Sequence, residues 1–178
     1  MHEEECTAAL AGVLELPRIR LLLAHIYYGN RRDLDQGVTC RPCRGTTREG
    51  SVGYYDPNHQ RIVICCERVR SPEDLEETLA HELVHAYDAG RQLPRSAHPA
   101  ATAAKTLCRQ IACSEIRASL FGQCHGIPSS ERRRECVFQS AVRSTRRHCP
   151  DAEQAVAAMF EACIARQDPF DASSSTSR

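Results

Sequence analysis

The chain has 178 residues, which is enough for one ordinary globular domain. Hydrophobic residues make up 42% and charged residues 26%, a composition that excludes a wholly disordered chain. Basic and acidic residues number 23 each, and this balance excludes a uniformly basic nucleic-acid-binding protein.

The N-terminal half is predicted to contain helices and a small hairpin. Apolar residues recur at helical spacing from Cys6 to Tyr28, and Pro17 marks a kink or a break between two helices. The stretch from Asn30 to Gly50 is predicted to be a polar loop. After it, the β-prone runs 53–55 and 61–65 flank a turn-rich segment, which predicts a β-hairpin. We therefore expect a small sheet in a chain that is otherwise helical.

A well-capped helix is predicted to begin at Ser71. This serine suits the N-cap, Pro72 suits the first helical position, and two acidic residues follow at the positive end of the helix dipole. Gly90 is a suitable stop.

Three further helices are predicted in the C-terminal half, over residues 100–121, 130–147 and 151–166. The predicted fold class is therefore α+β, mostly helical with a small sheet. We expect a single domain over residues 1–171, followed by a disordered polar tail over residues 172–178.

The helix from Ser71 contains the sequence His81-Glu82-Leu83-Val84-His85. Two histidines four residues apart share one helix face, so both imidazoles can bind one zinc ion, and Glu82 can take a proton from zinc-bound water. Apolar residues flank the motif, which indicates a buried helix whose polar groups need a partner. The alternative is two hydrogen-bonded core histidines with Glu82 at the surface.

A zinc peptidase site needs a third protein ligand. The strongest candidate is Glu115, because its carboxylate lies on an apolar stripe of a predicted helix. The alternative for this residue is a buried ion pair with an arginine such as Arg117. Asp88 is predicted to orient an imidazole. The remaining candidate ligands are His98, His125 and His148.

Six strings carry a family resemblance. They are Cys40-Arg41-Pro42-Cys43, Gly53-Tyr54-Tyr55-Asp56-Pro57, Ile62-Val63-Ile64-Cys65, the segment from Thr78 to Asp88, Ala112-Cys113-Ser114-Glu115-Ile116-Arg117-Ala118-Ser119, and Asp168-Pro169-Phe170-Asp171. Over residues 6–171 the chain resembles the mitochondrial inner-membrane metalloproteases that mature subunit 6 of the ATP synthase.

The resemblance implies a zinc metalloendopeptidase of the intermembrane space, peripheral to the inner membrane. Its substrate would be the precursor of that ATP synthase membrane subunit, from which it removes the N-terminal presequence, and it would also aid assembly of the membrane sector. The alternatives are a non-proteolytic assembly chaperone or scaffold, or a nuclear partner of a DNA-repair protein.

The arginines between Arg132 and Arg147 form the one regional excess of positive charge. They indicate a solvated helix face or an attraction to anionic lipid. No nucleic-acid partner is expected, because no aromatic residues alternate with these arginines.

The 11 cysteines indicate disulfides or a metal site. The acidic N-terminus has no pattern of a secretion signal or presequence, and the family resemblance accommodates this through oxidative folding in the intermembrane space. The alternative is a structural zinc site formed by Cys40, Cys43, Cys65 and Cys66. The adjacent Cys65 and Cys66 disfavour it, because neighbouring residues on a strand point to opposite faces and do not easily bind one tetrahedral metal ion. The resemblance implies that nine cysteines correspond to those of the family and are the disulfide candidates: Cys6, Cys40, Cys43, Cys65, Cys113, Cys124, Cys136, Cys149 and Cys163. Cys66 and Cys108 are additional to the family's set.

Two departures from the family pattern bear on the site. The segment from Ser96 to Ala104 lengthens the chain between His85 and Glu115, and Gln110 stands where the family has a histidine, which favours Glu115 as a ligand. The strand 61–65 is expected to offer its edge to an extended peptide. The candidate oxyanion donors are Tyr54, Tyr55, Arg117 and His98.

Overall fold

A computed structural model describes residues 1–29, 34–89 and 100–170, with the side chains of residues 100–103 excepted. Two compact units divide the chain, Met1–Arg91 and Gln92–Arg178. The predicted helix stop at Gly90, the candidate ligand His98 and the tail 172–178 lie outside the described residues. The single domain over residues 1–171 stays a prediction.

The first unit contains three α-helices and three strands among its described residues. In chain order these are α1 (Glu3–Leu14), α2 (Pro17–Gly29), β1 (Gly37–Arg41), β2 (Gly53–Asp56), β3 (Arg61–Cys65), a short 3-10 helix (Cys66–Arg68) and α3 (Pro72–Ala89). The break at Pro17 is confirmed, because proline takes the first position of α2 without the loss of a helical hydrogen bond. Strand β1 lies in the stretch that was predicted as a polar loop.

The three strands form one sheet in the order β1–β3–β2. β1 pairs with β3 in parallel, and β2 pairs with β3 in antiparallel, with Tyr54 opposite Val63. The hairpin is therefore confirmed. The expectation that strand 61–65 offers an edge is wrong, because this strand is the centre of the sheet and four of its five residues are buried. The outer strand of the hairpin is β2.

β2 and α3 approach each other at Gly53. A Cβ atom at this position would lie 2.8 Å from Thr78 Cγ2 and 3.3 Å from Glu82 Cγ. Atoms of folded proteins do not pack as closely as the first of these distances, so only glycine fits here without a shift of the Thr78 side chain, the helix or the strand. Gly53 thus sets the separation between β2 and α3.

The second unit consists of α4 (Ala100–Phe121), α5 (Ser130–Thr145) and α6 (Ala152–Ile164) among its described residues. Arg117 on α4 is fully buried and donates to the backbone oxygens of Arg166 and Asp168 at 2.8 and 2.7 Å. It also pairs with the Asp168 carboxylate at 3.2 Å, and the ring of Phe170 stacks on Phe121. Arg117 therefore holds the segment after α6 against α4, as buried charges require compensating partners.

Five disulfides connect ten of the cysteines. They are Cys6–Cys40 and Cys43–Cys65 in the first unit, and Cys108–Cys149, Cys113–Cys163 and Cys124–Cys136 in the second. All nine predicted candidates are bonded, whereas Cys108, expected to be additional, is the partner of Cys149. The alternative zinc site is excluded because three of its four cysteines are in disulfides.

None of the described helices is long and apolar enough to span a membrane.

We predict that Gly53→Ala lowers the free energy of unfolding by about 1–3 kcal/mol, because the added methyl group overpacks the contact with Thr78. Thr78→Ser removes the methyl group that would clash, so the double variant should regain most of the loss. Gly12 in α1 has open space around its Cα, and Gly12→Ala should instead stabilise by about 0.5–1 kcal/mol. Urea titration measures all of these values, and an unchanged Gly53→Ala would contradict the prediction.

We also predict that alkylation of the unfolded, unreduced protein labels one cysteine, Cys66, and that eleven are labelled after reduction. In the folded protein this thiol should react slowly, because burial first and the Glu67 carboxylate second raise its pKa. Mass spectrometry counts the labels, and Cys66→Ser is the control that should show none before reduction. A count of three or more would show that one of the five disulfides does not form.

Candidate metal centre

The helix that carries the predicted site has the expected start. Ser71 Oγ accepts a hydrogen bond from the backbone amide of Asp74 at 3.2 Å, and Pro72 is the first helical residue. Along α3 the apolar side chains of Leu75, Leu79 and Leu83 are fully buried, which fixes the rotation of the helix about its axis. This rotation leaves His81 and His85 half-buried on the same side.

The two histidines point toward each other. His81 Nε2 and His85 Nε2 are 3.1 Å apart, and their rings are nearly perpendicular with centroids 4.8 Å apart. Two nitrogen ligands of a tetrahedral zinc ion, each about 2.0–2.1 Å from the metal, are separated by about 3.3 Å. The pair of imidazoles therefore has the spacing that a shared zinc ion requires.

Glu82 faces the sheet rather than solvent. Its side chain is only 7% exposed, and its Oε2 accepts a hydrogen bond from the backbone amide of Tyr55 at 2.9 Å. The alternative that placed Glu82 at the surface is therefore wrong. A hydrogen bond from a fixed backbone donor orients this carboxylate.

The Tyr55 amide is available to Glu82 because of the strand register. Cys65 N–H bonds to the backbone oxygen of Val52, the residue before β2. From Val52 onward, alternate residues therefore direct their backbone groups toward β3, and Tyr54 is the next of them. The backbone groups of Gly53 and Tyr55 consequently point away from β3. The bond to Glu82 uses one of these outward amides.

Glu115 lies on α4 in the second unit, where neighbouring residues such as Ala112, Ile116 and Ala118 are fully buried. Glu115 is half-buried, and its Oε2 atom is inaccessible to solvent. His81 and His85 lie on α3 of the first unit and Glu115 lies on α4 of the second, and the shared metal site of the three residues stays a prediction. Two imidazole nitrogens and one carboxylate oxygen are a ligand set that zinc takes in peptidases.

The remaining candidate residues lie elsewhere or have other roles. Asp88 is half-buried one helical turn after His85, and its predicted orienting role stays a prediction. His125 and His148 are exposed and do not belong to the candidate ligand group. Arg117 is committed to the buried contacts with the segment after α6, so the idea that it stabilises an oxyanion is withdrawn.

The two tyrosines of β2 differ in surroundings. The Tyr54 ring packs on the buried cluster of Cys43, Val63 and Cys65, and the Arg48 guanidinium lies 4.9 Å from its centre. Tyr55 contributes its backbone amide to Glu82. The sequence predicts these tyrosines only as oxyanion donors, and the signal for the backbone role is Gly53, which precedes them.

A second pair of polar residues lies at the hairpin turn. His59 Nδ1 is 2.7 Å from Asp56 Oδ2, and Asp56 Oδ1 accepts from the backbone amides of Asn58 and His59. Burial acts to raise the pKa of Asp56, but these hydrogen bonds outweigh it and lower the pKa. The ionised carboxylate thereby closes the turn that begins where β2 ends.

Comparison with known proteins identifies relatives that match most of the chain. A family model with the description "Peptidase M76 family" matches residues 4–171. Proteins named mitochondrial inner membrane protease ATP23 are similar to the chain: that of Lodderomyces elongisporus is 31% identical over 94% of this chain and 72% of the relative, and that of Pyricularia oryzae is 34% identical over 86% and 59%. That of Coccidioides immitis is 31% identical over 87% and 66%. No solved structure matches.

Proposed function

This chain belongs to the peptidase M76 family, and on that premise we propose that it is a zinc-dependent metalloendopeptidase. His81, His85 and Glu115 would bind the metal, and Glu82 would be the general base. The observation that carries the proposal is the 3.1 Å approach of the two imidazole nitrogens beside a buried, backbone-oriented glutamate. The names of the relatives, all proteases, support the same activity.

When bound, zinc would act as a Lewis acid on the scissile carbonyl and lower the pKa of the attacking water. Glu82 accepts the proton of that water at its carboxylate and returns it to the leaving amine. The Tyr55 amide holds Oε2, which leaves Oε1 to exchange the proton. Asp88 is proposed to orient one of the ligating imidazoles, as carboxylates beside metal-bound histidines do.

β2 is the strand we propose for substrate contact, in place of the central strand that the sequence suggested. An extended peptide would add along this outer strand, where the N–H and C=O of Gly53 and the C=O of Tyr55 point away from β3. The amide of Tyr55 stays with Glu82. Hydrogen bonds between the backbones of β2 and the substrate would place a peptide bond of the substrate beside the general base, Glu82. This placement would depend little on the side chains of the substrate.

We propose that the substrate is the presequence of ATP synthase subunit 6 and that the protein acts in the intermembrane space, peripheral to the inner membrane. The names of the relatives support a place at this membrane. Ten of the eleven cysteines in disulfides favour an oxidising compartment and disfavour the nuclear alternative, in which free thiols are expected.

We predict one zinc ion per chain of purified protein, lost in His81→Ala and in Glu115→Ala, because each removes one of three protein ligands. His148→Ala is the matched control, since this histidine is exposed and outside the ligand group, and it should keep the metal. Metal analysis by mass spectrometry gives the ratio. Retention of zinc in Glu115→Ala would remove this residue from the ligand set, and no zinc in the wild type would refute the peptidase proposal.

We predict that Glu82→Gln lowers the cleavage rate of a presequence peptide about 10²–10⁴-fold while the zinc content is unchanged, because the amide cannot accept the proton. Glu77→Gln on the same helix changes a half-buried glutamate away from the motif and should retain activity. If the wild type binds the peptide but neither it nor any variant cleaves it, the assembly chaperone is the better description.

A further inference from the structure

The face of the sheet that points away from α3 carries an arginine beside β2. Successive residues of a strand point to opposite faces, so Gly53 lies against Thr78 of α3, while Tyr54 packs its ring on the buried cluster of the other face. The guanidinium carbon of Arg48 lies 4.9 Å from the centre of the Tyr54 ring. A guanidinium at this distance is attracted to the ring, which therefore helps to position the charge.

The backbone of Arg48 is held by a compact turn that begins at Cys43. Thr46 Oγ1 donates to the Cys43 carbonyl at 2.7 Å and accepts from the Arg48 amide at 3.1 Å. The Arg48 carbonyl accepts from the Ser51 amide at 3.0 Å. Cys43 is itself joined to β3 through its disulfide. The turn and the aromatic ring thus hold Arg48 from two sides.

The charge of Arg48 has no partner within the described part of the chain. Arg48 is exposed, and no described carboxylate forms an ion pair with it. The adjacent Glu49 instead accepts a hydrogen bond from the Gly45 amide at 3.2 Å. Asp56, on the same face at the other end of β2, accepts the hydrogen bonds of the hairpin turn. A positioned guanidinium without a carboxylate can bind one that a second molecule supplies.

A peptide bound along β2 would pass this arginine. If the peptide pairs with the outward backbone groups of Gly53 and Tyr55, one of its residues lies directly opposite Tyr54. Opposite residues of neighbouring strands point to the same face, with Cβ atoms about 4.5–5.5 Å apart. The side chain of that peptide residue would therefore lie beside the Tyr54 ring and Arg48. The peptide residues on either side of it would point to the face where α3 carries Glu82.

We infer that Arg48 and Tyr54 form a subsite that selects an acidic side chain of the substrate. The inference rests on the proposed function and on β2 as the strand that binds the peptide. The aspartate or glutamate is the peptide residue opposite Tyr54, where its carboxylate pairs with the Arg48 guanidinium and its methylene groups contact the ring. Backbone hydrogen bonds bring an extended peptide to β2, and this subsite favours the peptides that carry an acidic residue close to the cleaved bond.

A charge scan of the presequence peptide tests the subsite. Each residue of the peptide is replaced in turn by glutamate, glutamine and lysine, and KM and kcat are measured with the wild type and with Arg48→Glu. At one position the glutamate peptide should have a KM about five- to tenfold below that of the lysine peptide, because repulsion replaces an exposed ion pair. Arg48→Glu should reverse this preference at the same position with little change in kcat, since the subsite acts on binding.

Arg41→Glu is the matched control for the change of charge. Arg41 is exposed on β1, at the opposite edge of the sheet, and its variant should keep the wild-type preference. Arg48→Lys should keep only part of the preference, because an ammonium group lacks the planar shape that stacks on a ring. No charge preference at any position, or a preference that Arg48→Glu leaves unchanged, would overturn the inference.

Failure of the subsite is separable from failure of the proposed peptidase. Fluorescence anisotropy with the Glu82→Gln variant gives dissociation constants for the same peptides without cleavage, so the charge preference is measured in either case. Cleavage by the wild type with no charge preference refutes the subsite and leaves the peptidase. Binding that prefers the acidic peptide and depends on Arg48, with no cleavage by the wild type, refutes the peptidase and supports the subsite.

Discussion

The hydrogen bond between the Tyr55 amide and the Glu82 carboxylate is the interaction on which the candidate site depends. Burial of an ionised carboxylate is costly unless a donor compensates for the lost water, and here the donor is a backbone group with almost no freedom to move. The bond exists only because β2 directs that amide away from β3. It also requires Gly53, since any larger residue would hold α3 away from the strand.

The rest of the first unit fixes this contact from the opposite side of the sheet. The Cys43–Cys65 disulfide joins the end of β3 to the loop after β1, and Tyr54 packs on the cluster that contains it. A disulfide stabilises the folded state mainly because it restricts the unfolded chain. Two disulfides in a unit of about this size compensate for the small core that so short a segment can build.

The second unit is also stabilised by disulfides, and in addition by a buried ion pair. It has three disulfides and a fully buried arginine that ends in three bonds to the segment after α6. Removal of one partner would leave an uncompensated charge inside the unit, so Arg117 and Asp168 act as one structural element. The resemblance had singled out both residues in its motifs, and their shared role is structural.

The sequence by itself determined the helices, the break at Pro17, the cap at Ser71, the hairpin and the shared side of His81 and His85, because each of these depends on residues near one another in the chain. It also indicated disulfides by the number of cysteines. Only the tertiary structure decided which cysteines pair, that β1 joins the sheet and that β3 is its centre. Strand order, the partner of Cys149 and the donor to Glu82 depend on contacts between residues far apart in the chain, and no local pattern specifies them.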